Sequence, residues 1–136
     1  MLSSTPLECY VCSKDLANVS GWGEDQRRSK SDSLLFAQLP VLTHEACADK
    51  LKSTKHKDSI TENMICAGGT RQDACEGDSG GPLTYLRNGT NGQEERYLCG
   101  LVFWGFPCYR YRGRFPTMYT DATKYVKWIR KIMRAW

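Results

Sequence analysis

Residues Gly77-Asp78-Ser79-Gly80-Gly81-Pro82, led in by Asp73-Ala74-Cys75-Glu76, are the stretch on which the reading of this chain turns. Glycines stand on both sides of a serine, and an acid directly precedes it. Such a turn exposes the serine hydroxyl and aims neighbouring backbone N–H groups into one small volume. Chemically that is a nucleophile beside an anion-binding hole. A serine hydroxyl also needs a base to activate it, and none stands in the surrounding residues.

The composition sets bounds on everything else. A chain of 136 residues has room for one domain with a real core, and its 40% hydrophobic content and four Trp are those of a globular protein. The net charge of +4 is modest, and the Lys and Arg are scattered, with small clusters at Arg27-Arg28-Ser29-Lys30 and toward the C-terminus. No basic stripe interleaved with stacking aromatics occurs, so nucleic acid is not an expected partner. The longest mainly apolar run, Leu98 to Phe106, is far too short to span a bilayer, so no membrane partner is expected.

Seven cysteines in so short a chain point to an oxidising compartment and disulfides. Asn18-Val19-Ser20 and Asn88-Gly89-Thr90 fit the N-glycosylation acceptor pattern. The residues therefore look secreted, whereas the opening Met1-Leu2-Ser3-Ser4-Thr5-Pro6 contains no apolar run of signal-peptide length. A truncated N-terminus reconciles the two, and an extracellular location is expected.

Turn signals recur at short intervals, at Gly21-Trp22-Gly23, Gly68-Gly69, Gly80-Gly81-Pro82, Asn88-Gly89 and Asn91-Gly92. Between them lie short apolar or alternating segments such as Leu34 to Leu42. Pro82 to Leu86 and Tyr97 to Val102 read as two strands joined by a polar loop. This rhythm predicts an all-β barrel or sandwich rather than βαβ units. Thr43 to Leu51 is predicted as a short helix with Thr43 as N-cap. Asp121 to Trp136 is predicted as a closing amphipathic helix, with Tyr125, Trp128, Ile129, Ile132 and Met133 directed at the core.

At the level of motifs the chain resembles the trypsin-like (chymotrypsin-fold) serine proteases, nearest in style to complement and clotting members. The resemblance is carried by Asp73 to Pro82, by Ser20-Gly21-Trp22-Gly23, by Met64-Ile65-Cys66-Ala67-Gly68, by Phe103-Trp104-Gly105, and by Met118-Tyr119-Thr120 with Tyr125 to Ile129. In that family two β-barrels enclose the active site. Residues 17–136 resemble the second, a six-stranded antiparallel barrel with a short intermediate helix and a C-terminal α-helix. Residues 1–16 read as a linker or divergent segment. The first barrel, which in the family carries the catalytic His and Asp, has no counterpart here.

The resemblance implies roles. Ser79 is the nucleophile, the backbone N–H groups of Gly77 and Ser79 form the oxyanion hole, and Asp78 pairs with the ammonium created by zymogen cleavage. Asp73 is the base of the pocket that selects substrate Arg or Lys. Ala74, Phe103, Trp104, Gly105 and Thr117 belong to the substrate-binding walls. Three residues depart from the pattern: Thr117 where a pocket-wall Gly is usual, Phe103 where a Ser is usual, and Pro107 at another rim Gly. Neither His44 nor His56 matches the catalytic His, and both are expected at the surface. The isolated chain is accordingly expected to be catalytically incomplete.

The family's disulfides imply the pairs Cys47–Cys66 and Cys75–Cys108, while Ala17 and Tyr85 occupy both positions of a third. Cys9, Cys12 and Cys99 remain, one of them expected to reach a cysteine of the first barrel. A single Cys9-Tyr10-Val11-Cys12 is too little for a metal site, so no metal or cofactor is expected. The expected partners are protein or peptide substrates and the first barrel of a parent protease. The rival expectation is a non-catalytic binding module that keeps the protease fold.

Overall fold

The computed structural model describes residues 16–111 and 113–135. The segment containing Cys9 and Cys12 lies outside these, while Leu16 already opens the first strand. The strands β1 (Leu16–Gly21), β2 (Leu35–Leu42), β3 (Met64–Gly68), β4 (Pro82–Asn88), β5 (Glu94–Trp104) and β6 (Pro116–Asp121) close into an antiparallel barrel of order β1-β2-β3-β6-β5-β4. This is the all-β barrel that the resemblance implies. Alternation builds it: along β1, Ala17 and Val19 point inward and are buried, whereas Leu16 is exposed.

Strand β2 pairs with β1 over residues 35–40 and with β3 at Val41 and Leu42. Pro40, which has no N–H to donate, sits where the strand changes partner. Strands β4 and β5 form the expected hairpin, longer than the sequence suggested, around residues 89–93. Register slips between Val102 and Trp104 against β6, leaving Phe103 as the bulged residue, half exposed.

Two apolar clusters hold the barrel. Ala17, Val19, Leu39, Ala67, Leu83, Cys99, Val102 and Tyr119 fill its interior together with Ala74, so the loop leading to Ser79 is rooted in the core. Helix α1 (His44–Leu51) seals a second cluster. Its Cys47 and Leu51, one turn apart, meet Cys66, Phe115 and Met118. The helix starts where expected, with the Thr43 hydroxyl accepting the Ala46 N–H at 3.1 Å. A four-residue helix, α2 (Cys108–Tyr111), precedes β6.

The C-terminal segment corrects one expectation. After a 3₁₀ turn at Ala122–Tyr125, helix α3 (Val126–Arg134) does carry the apolar stripe, but the stripe faces solvent. Trp128 is 63% exposed and Met133 59%, with Tyr125, Ile129 and Ile132 also exposed. Helical spacing shows which side chains share a face. It does not supply a surface for that face to meet. Here the helix packs back on its own 3₁₀ turn, which in turn packs on β5.

Candidate active site

The loop from Asp73 to Gly81 is fixed from three sides. Asp78 turns its carboxylate inward, where Oδ1 accepts the Gly23 N–H at 2.8 Å and Oδ2 accepts the Cys75 N–H at 2.9 Å. Glycine is required around it: a Cβ on Gly21 would lie 2.0 Å from Asp78 Oδ1, and one on Gly23 2.6 Å from the same atom. The Gly21-Trp22-Gly23 turn and the acid before Ser79 are thus one construction, although 55 residues separate Gly23 from Asp78. The Glu24 N–H donates to the Glu76 carbonyl at 2.8 Å and completes this side.

On the second side the loop is stitched to β5. Gly80 N–H donates to the Val102 carbonyl and Val102 N–H to the Gly81 carbonyl, each at 2.9 Å. On the third, the Cys75–Cys108 disulfide ties the loop to the start of α2, and Cys47–Cys66 ties α1 to β3. Gly77 turns the chain at φ +95°, a region that a side chain would strain. Ser79 emerges exposed at the tip. Among the described residues no backbone carbonyl accepts the N–H of Gly77 or of Ser79. Both donors are left for something else.

Below the tip lies Asp73. Its Oδ1 accepts the Thr117 hydroxyl at 2.9 Å and the Ala74 N–H at 2.8 Å. Burial raises its carboxyl to about 6, and the donors from Thr117, Ala74 and Gly69 only partly offset that. The folded carboxyl therefore holds its proton to higher pH than the unfolded one, whose pKa is 3.8. The fold should lose stability as pH rises through this window from about 4 to 6, and Asp73→Asn should flatten that part of the profile. Thermal melts across the range measure it.

Asp73 and Asp78 also line a groove of about 1050 Å³ with Arg28, Arg71, Tyr109 and Phe115. Ser79, Trp104, Gly105 and Thr117 do not contribute to its walls. Trp104 and Gly105 follow Phe103 at the end of β5.

The histidines lie elsewhere. His44 is exposed and donates from Nε2 to the Met64 carbonyl at 2.7 Å. His56, expected at the surface, is half-buried against two aromatics. Its ring centre lies 5.2 Å from that of Trp104 and 5.7 Å from that of Phe106. Lys55 and Lys57 on either side made its segment read as a polar loop, and no local signal places its ring beside Trp104. Cys99, buried in β5, is disulfide-bonded.

Comparison with known proteins gives a consistent result. A family model described as trypsin matches residues 7–129. The clotting factor G beta subunit of Tachypleus tridentatus is 38% identical over 120 residues, which cover 84% of this chain and 37% of that protein. Complement C1s subcomponent of Rattus norvegicus is 38% identical over 128 residues, 88% of this chain and 17% of the relative. Vitamin K-dependent protein C of Mus musculus is 36% identical over 119 residues, 82% of this chain and 23% of the relative. The chain thus spans little more than a third of the longest-covered of these relatives.

Proposed function

The chain belongs to the trypsin family of serine proteases, and from that premise we propose that it forms the nucleophile-bearing barrel of an extracellular serine endopeptidase. The observation that carries this reading is the loop around Ser79. A hydroxyl stands exposed at its tip, two backbone donors are uncommitted, and the acid between them is anchored inward.

In this mechanism Ser79 Oγ attacks the scissile carbonyl carbon and passes its proton to a histidine, while a carboxylate orients that histidine. The N–H groups of Gly77 and Ser79 receive the negative charge on the carbonyl oxygen, each donor worth about 3 kcal/mol of barrier. The tetrahedral intermediate expels the amine, protonated by the same histidine, and water then hydrolyses the acyl-enzyme. His44 and His56 are engaged with Met64 and with Trp104 and Phe106, so the base comes from residues outside these 136. Asp78 would accept a cleavage-generated ammonium. The bridges Cys47–Cys66 and Cys75–Cys108, with Cys99 also disulfide-bonded, suit an oxidising, extracellular setting. Of the two acceptor patterns Asn88, exposed at the hairpin end, is the better glycosylation site, because Asn18 is half-buried in β1 between β2 and β4.

The test is peptide hydrolysis by the polypeptide that joins this barrel to an upstream one bearing His and Asp. Activity should fall by about a million-fold on Ser79→Ala. An unchanged rate would refute the assignment. A non-catalytic binding module is the second reading, favoured by Phe103 half exposed beside the site and by the Thr117 hydroxyl capping Asp73. On that reading the parent hydrolyses nothing and Ser79→Ala is silent.

A further inference from the structure

Strand β5 carries a second irregularity, in its pairing with β4. Thr84 stands opposite Leu98 and Leu83 opposite Gly100, so Cys99 is the extra residue of a bulge. Its side chain is 1% exposed and belongs to the interior cluster with Ala17, against which Tyr85 packs. Ala17 in β1 and Tyr85 in β4 are the two positions where the family's third bridge would be and where this chain has no sulfur. A cysteine in such apolar surroundings ordinarily stays a buried, inert thiol. Cys99 does not: it is disulfide-bonded.

The partner follows by elimination. Of the other described cysteines, Cys47 is bonded to Cys66 and Cys75 to Cys108. The two cysteines that remain in the chain are Cys9 and Cys12, outside the described residues. Both are within reach. Asn18 of β1, Thr84 of β4 and Leu98 of β5 lie in one row across three strands. At the usual strand spacing this places Cys99 on the order of 10 Å from β1. Cys12 stands four positions before Leu16, and Cys9 seven. At about 3.5 Å per residue the backbone covers roughly 14 Å and 24 Å over those stretches. The disulfide itself spans about 5 Å more between Cα atoms.

We propose that Cys99 anchors the Cys9-Tyr10-Val11-Cys12 segment: a disulfide from one of its two cysteines straps the chain ahead of β1 across β4 onto β5, in place of the missing bridge between β1 and β4. The bond forms when the two thiols give up two protons and two electrons to a small-molecule disulfide such as oxidised glutathione, which leaves as two thiols. Three bridges use six of the seven cysteines, so the other cysteine of the segment is left as the single thiol of the chain. The Cys-x-x-Cys is then a strap with one thiol to spare and not a redox pair, because closing Cys9 on Cys12 would deprive Cys99 of its bond.

The test is made on the 136-residue chain folded in a glutathione redox buffer. Thiol titration of the denatured, unreduced protein should find one thiol per chain. Chymotrypsin cuts after Tyr10 and so separates Cys9 from Cys12. In a digest of the unreduced protein, mass spectrometry should find the peptide containing Cys99 joined to one of the two, and reduction should split the pair. Cys9→Ser combined with Cys12→Ser should lose that joined peptide and melt roughly 10 °C or more below wild type, as expected for opening a loop of about ninety residues. If the double variant does not fold, the peptide map of the wild type decides alone. Three thiols per chain, Cys9 joined to Cys12, or Cys99 alkylated in the unreduced wild type would each overturn the proposal. A double variant that melts with the wild type would overturn the bracing role. Ser79→Ala should leave all of these readings unchanged, so failure here and failure of the nucleophile assignment are read separately.

Discussion

Replacing Gly21 with alanine should cost the fold about 3 kcal/mol or more, an unusually large effect for one added methyl group at a half-exposed turn. The methyl would arrive 2.0 Å from Asp78 Oδ1. Either the turn shifts, or the carboxylate leaves and forfeits the N–H groups of Gly23 and Cys75. Hydrogen bonds to a charged group contribute about 1.5–3 kcal/mol each, so abandoning both is the more expensive response. Coupling makes the prediction specific. In an Asp78→Ala background the carboxylate is gone, and adding Gly21→Ala should then cost little, giving an interaction energy of about 2 kcal/mol in the double-mutant cycle. Gly80→Ala is the control: a Cβ there meets nothing within 4 Å, and only the positive φ of 79° is penalised, by about 1 kcal/mol. Urea unfolding of the wild type, the two single variants, the double variant and the Gly80→Ala control decides it, and simple additivity would mean that the two motifs are not one construction.

Removing the Cys75–Cys108 bridge, by Cys75→Ser with Cys108→Ser, should lower stability by about 3–4 kcal/mol. The bridge closes a separation of 33 residues, and the chain-entropy estimate for a loop of that size falls in this range. The bridge ties the loop that carries Asp73, Asp78 and Ser79 to α2, so its loss should also loosen the tip. Amide exchange at Gly80 and Gly81, whose N–H groups donate to the Val102 and Asp78 carbonyls, should accelerate more than at Leu39 or Leu83 in the barrel interior. A loss below about 1 kcal/mol would mean that the hydrogen bonds to Gly23, Glu24 and Val102 hold the loop unaided.

Local chemistry made much of this legible. Alternation along β1, the Thr43 cap, and the turn glycines at 21, 23, 77, 80 and 81 each state a requirement within a few residues, and the barrel satisfies them. Pairwise long-range facts were not written in any one segment. Thr117 reads locally as a β-strand residue, and only the pairing of β6 with β3 and β5 brings its hydroxyl to Asp73, 44 positions away. His56 sits among lysines, yet its ring belongs to the aromatic group of Trp104 and Phe106. The stripe on α3 shows the converse, since periodicity identified the face of Trp128, Ile129 and Met133 but not what it faces.

The proposed mechanism makes Ser79 the nucleophile and draws its base from outside these 136 residues. Its most direct test is phosphonylation of the isolated chain by an aryl phosphonate, with the modified peptide identified by mass spectrometry. With His44 on Met64 and His56 on Trp104, Ser79 should take up no more than a trace of label. Stoichiometric labelling of Ser79 in the isolated chain would show that a base is already present, and would contradict the account.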